Sequence, residues 1–388
     1  MLDFGRYIAA PYCAMVLADM GAEVIRVERP GGEEDRRLGL EAANGESFTF
    51  TSLARGKKAV TLDLRRGGPA REVLADLVAR SDVVVHNFAP AAAAAFGVTY
   101  EDVRAIRPDV VYAGISFCGA DGPYASRTGF DPIAQMISGA ASVTGGEAEP
   151  TRAGVPWVDY GTGLSAALGI VVALRRRDAT GLGQAIDCAL LLTALSFTAP
   201  VIAEATVAGR ERPRLGNQAA YIAPSNLYRC LDGHVYVTAV TPGMWRALTA
   251  AVGRPELGLA PELRTAEQRF EQRDRVDAVV EEWTASRTVA GVVAVLEAAQ
   301  VPCGAYRRTT EVLADEAGGG RRLIGFADLE VPGLECVPVS PTPFRLSAVG
   351  APPAGRPPRV GEHNDEVYGG VLGYARPRRA ELRAAGVI

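Results

Sequence analysis

Asp159 is the residue whose type and setting most suggest chemistry. It lies in the stretch Gly154 to Gln184, GVPWVDYGTGLSAALGIVVALRRRDATGLGQ, ahead of apolar residues Leu164, Leu168, Val171, Val172 and Leu174 that recur at helical spacing. Arg175, Arg176 and Arg177 sit where a helix's partial negative charge collects, and Gly181 and Gly183 then stop it. A helix is therefore expected from Leu164 to the arginines, with Gly161 and Gly163 leaving the entry turn unhindered and Asp159 facing the positive end. Backbone N–H donors there would keep the carboxylate ionised at neutral pH. Such a group serves either as a cap or as a nucleophile, and this stretch alone leaves both open.

The elements that must position it alternate along the first part of the chain. Strands are expected at Leu2 to Phe4, Glu23 to Glu28, Ala59 to Leu64, Asp82 to Asn87 and Val110 to Ser116, with helices at Pro11 to Met20, Gly68 to Arg80 and Thr99 to Ile106. Alternation of this kind predicts an α/β fold with an open, mostly parallel, Rossmann-like sheet covered by helices on both faces. Ligands then belong at the carboxyl ends of the strands. No strand is followed by G-x-G-x-x-G, and G-x-x-x-x-G-K-[ST] is absent, which argues against dinucleotide dehydrogenases and P-loop enzymes. The strand ends instead carry Arg29, Arg65 after Leu62, Asn87 and Phe88. Arginine suits phosphate or a purine face, asparagine an amide or ring edge, and phenylalanine an adenine or pantetheine face.

Ala89 to Phe96 reads as a helix. The turn-rich stretch that follows Gly119 predicts a site loop with Arg127 and Asp131 as its polar candidates. The apolar run Cys188 to Ala203, broken by Thr193, Ser196, Thr198 and Pro200, reads as a buried helix rather than a membrane span. Beyond it the pattern changes to a hairpin, Leu227 to Cys230 and His234 to Val240. Helices follow at Pro242 to Val252, Gln268 to Ser286 and Thr288 to Ala299, and a strand within Val301 to Tyr306. The expected organisation is a large α/β domain over 1–205, a smaller α+β domain over 206–325, and a return segment over 326–388 that completes the first. Arg212 and Arg214 read as solvated linker charges.

Composition bounds the rest. With 388 residues, 48% hydrophobic and 22% charged, the chain is a globular protein larger than one ordinary domain. A net charge of −4 argues against nucleic acid as a partner, and the six cysteines (Cys13, Cys118, Cys188, Cys230, Cys303, Cys336) contain no C-x-x-C pair. Reduced thiols in a cytoplasm, and no metal site, are the expectation. Of the three histidines, His86 lies in an apolar strand and His363 in a return segment, and both read as structural.

Several stretches together resemble the family III CoA-transferases, the CaiB/BaiF family. They are LADMGAEVIRVERP, ARGKKAVTLDL, DVVVHNFAP, GPYASRTGFDPIAQMISG, DYGTG, RRRDATGLGQAIDCAL, LYRCLDG, VPCG, and GEHNDEV before a terminal GVI, in the family's order across nearly the whole chain. The resemblance implies an interlocked homodimer and a reaction that moves CoA from an acyl-CoA thioester to a carboxylic acid, without a metal. It implies that Asp159 is the nucleophile, passing through an aspartyl anhydride and an aspartyl-CoA thioester, with backbone N–H groups near Gly161 as candidate oxyanion donors. It further implies that Arg29, Leu62, Arg65, Asn87, Phe88, Ala89, Phe96, Arg127 and Asp131 hold CoA. Departures narrow the reading: Ile8 replaces a pocket glutamine, Ala95 replaces a CoA-contacting basic residue, and a glycine-run loop is missing between Gly209 and Leu227, which argues against oxalate and formate. Racemases of the family read G-H-D where this chain has Gly129-Phe130-Asp131, and phenylalanine carries no proton. An isomerase, an intramolecular transfer or a non-catalytic acyl-CoA-binding protein are the alternatives. Family members carry a short lead-in before the first strand, so a natural start a few residues upstream is expected.

Overall fold

The computed structural model describes residues 1–313, 327–331, 334, 337–340, 342–344, 346–348 and 355–388, so Cys336 lies outside the described residues. Two compact units are present. The first comprises Met1–Ser138, Gly154–Thr198 and the described residues after 321; the second comprises Gly139–Ala153 and the described residues of 199–320. Residues 139–153 thus group with the second unit rather than with the first.

The first unit is built on six parallel strands: β1 Leu2–Asp3, β2 Ile25–Glu28, β3 Lys58–Thr61, β4 Val83–His86, β5 Val111–Ser116 and β6 Gln184–Ala189. Their order is β3-β2-β1-β4-β5-β6, with registers such as Ile25↔Lys58, Leu2↔Val84 and Val83↔Val111. This is the doubly wound order, and it reverses between β1 and β4. β2 and β4 are buried at every position, as strands covered on both faces must be. One face is covered by α1 (Ala9–Asp19) and α7 (Trp157–Thr180), with Val85, Ala113 and Ile115 in the shared core. The other is covered by α3 (Gly68–Ala79) and α5 (Tyr100–Ile106), with Val84, Tyr112, Leu74 and Val103. Three shorter helices, α2 (Phe48–Ala54), α4 (Pro90–Phe96) and α6 (Asp131–Ile137), complete this part of the chain.

β6 does not emerge from the sequence pattern, because its alternation merges into the apolar run that follows. That run is α8, Leu190–Val207, which begins two residues later than expected and is not a buried helix: only Leu190, Ala194 and Thr198 are buried, while Leu192, Phe197 and Ile202 are exposed.

The chain's return to the first unit has a specific purpose at β3, whose outer edge would otherwise present unpaired backbone groups. Ala59 N donates to His363 Nδ1 at 3.1 Å, and His363 N donates to the Ala59 carbonyl at 2.9 Å. Thr61 N donates to Asn364 Oδ1 at 2.9 Å and Tyr368 Oη to the Thr61 carbonyl at 2.6 Å. After the last helix, Arg376–Ala384, the carbonyl of Val387 accepts from Asp63 N at 2.8 Å, and Val387 and Ile388 are buried in the core. His363 is structural, as its sequence setting indicates. His86 is likewise a buried core residue, bonded to Tyr112 Oη and accepting from Phe88 N, and burial pushes its ring down to about 4.

In the second unit an antiparallel pair, β7 (Ser225–Arg229) and β8 (His234–Thr238), turns through Asp232-Gly233 and is joined by β9 (Cys303–Ala305). Helices α9 (Pro242–Ala251), α11 (Arg273–Ala285) and α12 (Val289–Ala298) pack Trp245, Leu248, Val280, Val292 and Leu296 against it. The single helix expected over Gln268 to Ser286 is divided at Gln272 into α10 (Ala266–Glu271) and α11. Arg212 is not merely solvated: it pairs with Glu204, and Arg214 donates to the carbonyls of Gly146 and Glu147.

Candidate active site

Asp159 stands inside α7, as its third residue, and not ahead of it. The helix starts early because Asp131 caps it from a distance. The Asp131 carboxylate, 2% exposed, accepts from Val158 N at 2.8 Å and from Asp159 N at 3.3 Å through Oδ2, and from Gln135 Nε2 at 2.6 Å through Oδ1. Trp157 N donates to the Val155 carbonyl and Tyr160 N to that of Pro156, so every first-turn N–H already has a partner. Two expectations change as a result. Asp131 is a buried helix cap that does not line the cavity, and so is not placed to touch CoA. Gly161 lies deeper in the helix, where its N–H belongs to the helical ladder and is no free oxyanion donor.

The same arrangement inverts the expected electrostatics of Asp159. Its carboxylate is largely buried, receives none of the helix donors, and faces the negative charge of Asp131. Burial first, and that neighbouring charge second, raise it from 3.8 to about 7. It is therefore about half protonated at neutral pH, not firmly ionised. A carboxylate held this way is more basic, and a stronger nucleophile when it does ionise, than one in water.

Two glycines fix its position by contact rather than by turn geometry. A Cβ on Gly163 would lie 2.6 Å from the Ala9 carbonyl oxygen, so the absence of a side chain lets α7 press against α1. A Cβ on Gly161 would lie 2.9 Å from the Phe197 ring, on α8.

Asp159 opens on a cavity of about 230 Å³ at the carboxyl ends of β1, β4 and β5, at the topological switch point of the sheet. Tyr7, Ile8, Phe117, Phe130 and Leu190 supply apolar walls, and Asn87, Phe88, Ala89 and Arg127 line it as well. A second cavity of about 210 Å³ lies on the other side of Phe88, at the ends of β1, β2 and β3. It gathers Arg29, Leu62, Arg65 and Phe96 with Phe4, Arg6 and Glu33. Of the residues expected at the site, all but Asp131 line one cavity or the other, and Phe88 lines both.

Several of these side chains are already engaged. Asn87 accepts from Arg6 N at 2.9 Å and donates to the Arg6 carbonyl at 2.7 Å, so its amide clamps the loop after β1. Arg29 pairs with Glu34 at 2.8 Å, Arg6 with Glu33 at 3.2 Å, and Arg65 with Asp63 at 2.8 Å. The arginines of the second cavity are thus held in place by carboxylates, and an incoming anion has to compete with them.

Sequence reasoning misses Tyr7, whose backbone takes φ 64°, a left-handed conformation costly for a residue with a side chain. Asp35 holds its N–H at 3.2 Å, Glu34 accepts from its hydroxyl at 3.1 Å, and its ring meets Phe130 edge-on with centroids 5.7 Å apart. Tyr7 thus lines the cavity in a strained backbone conformation, and only a glycine would have announced it in the sequence.

The family model described as CoA-transferase family III matches residues 1–364. A succinyl-CoA–D-citramalate CoA-transferase of Chloroflexus aurantiacus is 33% identical over all of this chain and 96% of its own. A formyl-CoA:oxalate CoA-transferase of Streptomyces avermitilis is also 33% identical, over all of this chain and 98% of its own. The crystal structure of a CaiB/BaiF family protein from Brucella suis superposes with a TM-score of 0.82 at 31% identity, covering 96% of this chain and 97% of that one. Because relatives named for such different acids are equally similar, overall identity does not choose an acid; the cavity has to.

Proposed function

The chain belongs to CoA-transferase family III, and from that premise we propose that it moves CoA between carboxylic acids with Asp159 as the covalent nucleophile. The observation that carries this reading is the elevated Asp159 carboxylate, opening on one of two cavities that share Phe88. In this reading CoA lies across both. Its nucleotide end sits among Arg29, Leu62, Arg65 and Phe96, the pantetheine passes Phe88, Ala89 and the loop that Asn87 clamps, and the thioester reaches Asp159.

The chemistry follows from the residue type. An ionised Asp159 oxygen attacks the thioester carbonyl carbon, the C–S bond breaks, and CoA leaves as the thiolate from a mixed anhydride. The thiolate attacks the aspartyl carbonyl, the anhydride C–O bond breaks, and the donor acid leaves as its carboxylate. The acceptor carboxylate then attacks the aspartyl-CoA thioester, expelling thiolate, and the thiolate attacks the acceptor's own acyl carbon to release the new thioester and restore the Asp159 carboxylate. No proton is consumed over the cycle, so the only protonation requirement is that Asp159 begin ionised. Phe130 offers no second proton carrier at the cavity, which disfavours racemisation.

We further read the exposed apolar residues Leu168, Val171 and Val172 of α7, with Leu192 and Phe197 of α8, as surface covered by a second copy in a homodimer. The described cysteines are free thiols, in keeping with a cytoplasmic protein. Intact-mass spectrometry after incubation with a panel of acyl-CoAs and hydroxylamine or borohydride trapping tests the central claim. An adduct mapping to Asp159 and lost in Asp159→Ala is expected. An adduct that persists in the variant, or none with any donor that exchanges, refutes it.

A further inference from the structure

A third cavity, of about 260 Å³, lies at the carboxyl ends of β4, β5 and β6, on the face of the sheet that carries α5. It shares Phe88, Pro90, Ile115 and Ser116 with the Asp159 cavity, so the two adjoin across the end of β5. Its lining carries charge of one sign. Among the described residues no lysine or arginine lines it, and its charged group is Asp187, at the exposed rim. His86 adds no positive charge: Nδ1 accepts from Phe88 N at 3.0 Å, and Nε2–H donates to Tyr112 Oη, whose own proton goes to the Val98 carbonyl at 3.0 Å. Ser116 Oγ accepts from Gly119 N at 2.8 Å, and Thr99 Oγ1 donates to Asp102 at 2.6 Å. These polar groups bond within the protein, and the surface left for a ligand is that of Phe88, Tyr100, Tyr112, Ile115 and Ile186. Gly114 keeps this space open. It lies inside β5, a central strand, where glycine weakens the strand and marks a close approach by something else. A Cβ there would meet Tyr112 at 3.5 Å and His86 at 3.8 Å, ordinary contacts, and its backbone is not left-handed. Neither a turn nor tight packing demands glycine at this position; the room its missing side chain leaves is cavity.

We infer that this third cavity binds the hydrocarbon tail of the transferred acid, so that the chain takes acyl groups whose far end is apolar and uncharged. The inference rests on the CoA-transfer reading above and deepens it by naming the substrate class. A tail held at Asp159 through its carbonyl carbon crosses Ile115 and Ser116 and ends between the rings of Tyr100 and Tyr112, beside Gly114. The charge of the lining excludes other occupants. A CoA phosphate, or the far carboxylate of a diacid, would enter with no cation to meet it and with Asp187 at the rim, and burying an unpaired charge is costly. The adenine ring is flat and uncharged, but it would have to carry its phosphates past the same Asp187.

Isotope exchange of an acid into its own CoA thioester tests this with one acid at a time. Labelled butyrate, hexanoate and adipate are exchanged into butyryl-, hexanoyl- and adipyl-CoA. Hexanoyl extends butyryl by two methylenes, and adipyl has the hexanoyl chain length but ends in a carboxylate. The unmodified protein is expected to favour hexanoyl over butyryl in kcat/KM by about tenfold or more, at about fourfold per buried methylene, and hexanoyl over adipyl by at least as much. Gly114→Val, which puts a strand-favouring side chain into the cavity, should bring the hexanoyl-to-butyryl ratio toward one, and Gly114→Ala should do so in part. Hexanoyl no faster than butyryl, or adipyl as fast as hexanoyl, in the unmodified protein overturns the inference. So does a Gly114→Val variant that melts like the unmodified protein and keeps its ratio. A folded Gly114→Val variant that loses affinity for CoA itself in calorimetry assigns the cavity to the nucleotide and overturns it too. Should Gly114→Val not fold, Gly114→Ala and the three acids on the unmodified protein decide. Failure of every acyl-CoA to exchange would overturn the transferase reading itself, and this inference with it, whereas exchange without preference overturns this inference alone.

Discussion

Replacing Asp131 by asparagine removes a charge while keeping a cap. The new amide oxygen can still accept from Val158 N and Asp159 N, now at 2.8 and 3.3 Å from Oδ2, while the contact that Gln135 Nε2 makes to Oδ1 is given up. What changes is the field at Asp159. Burial and the Asp131 charge together raise that carboxylate from 3.8 to about 7, a rise of about 3 pH units in which burial is the larger cause. Neutralising Asp131 can therefore lower the midpoint by no more than half of this, about 1.5 pH units. The assay is the pH dependence of single-turnover adduct formation on Asp159. The unmodified rate should climb through a midpoint near 7 as the nucleophile ionises. In Asp131→Asn the midpoint should move to lower pH, and the plateau should fall because a less basic carboxylate attacks more slowly. A linked effect appears in stability. The native carboxyl keeps its proton between pH 3.8 and 7 while the unfolded one has released it, so folding stability is full below about pH 3.8. It falls as pH rises to about 7, by on the order of 4 kcal/mol. Urea melts at pH 4 and 8 should show this loss, and in Asp131→Asn a smaller one. A midpoint that stays at 7 or rises would refute the electrostatic reasoning, and one that drops by the full 3 pH units would show that burial is not the dominant cause.

Other expectations concern the scaffold and the shared wall of the cavities. Gly163→Ala gains about 1 kcal/mol of helix propensity but puts a methyl 2.6 Å from a backbone carbonyl that cannot easily yield, so a net loss of about 1 to 3 kcal/mol in denaturant melts is expected. Removal of Val387 and Ile388 strips two buried side chains and the acceptor for Asp63 N, and should destabilise the first unit by several kcal/mol, about 2 or more per side chain, seen as a lower Tm. Phe88→Ala, which opens the wall common to both cavities, should weaken CoA binding by calorimetry about tenfold or more, while Phe96→Ala, lining only one, should cost less.

The parts of this protein that could be read from its sequence are those whose cause is local. VVVH at Val83 to His86 reads as a buried parallel strand because all four of its residues are apolar or neutral and turn formers bound it, and the structure buries all four. The doubly wound layout follows from such strands alternating with helices, and the layout in turn places ligands at strand ends, which is where both cavities lie. Arg29, Leu62, Arg65, Phe88 and Phe96 could be brought together on that argument and on resemblance, although nothing in their order along the chain says they meet at one cavity.

What could not be read depends on partners distant in sequence. The start of α7 is decided by Asp131, 28 residues upstream of Asp159, and that one capping contact reverses the expected ionisation state of Asp159. The same carboxylate takes the helix donors and adds a like charge, so Asp159 loses both influences that would have kept it firmly ionised. Pairing has the same character. In sequence, Arg6, Arg29, Arg65 and Arg127 are equivalent positive residues near strand ends or loops; in space, three are matched to carboxylates of the protein and one is not.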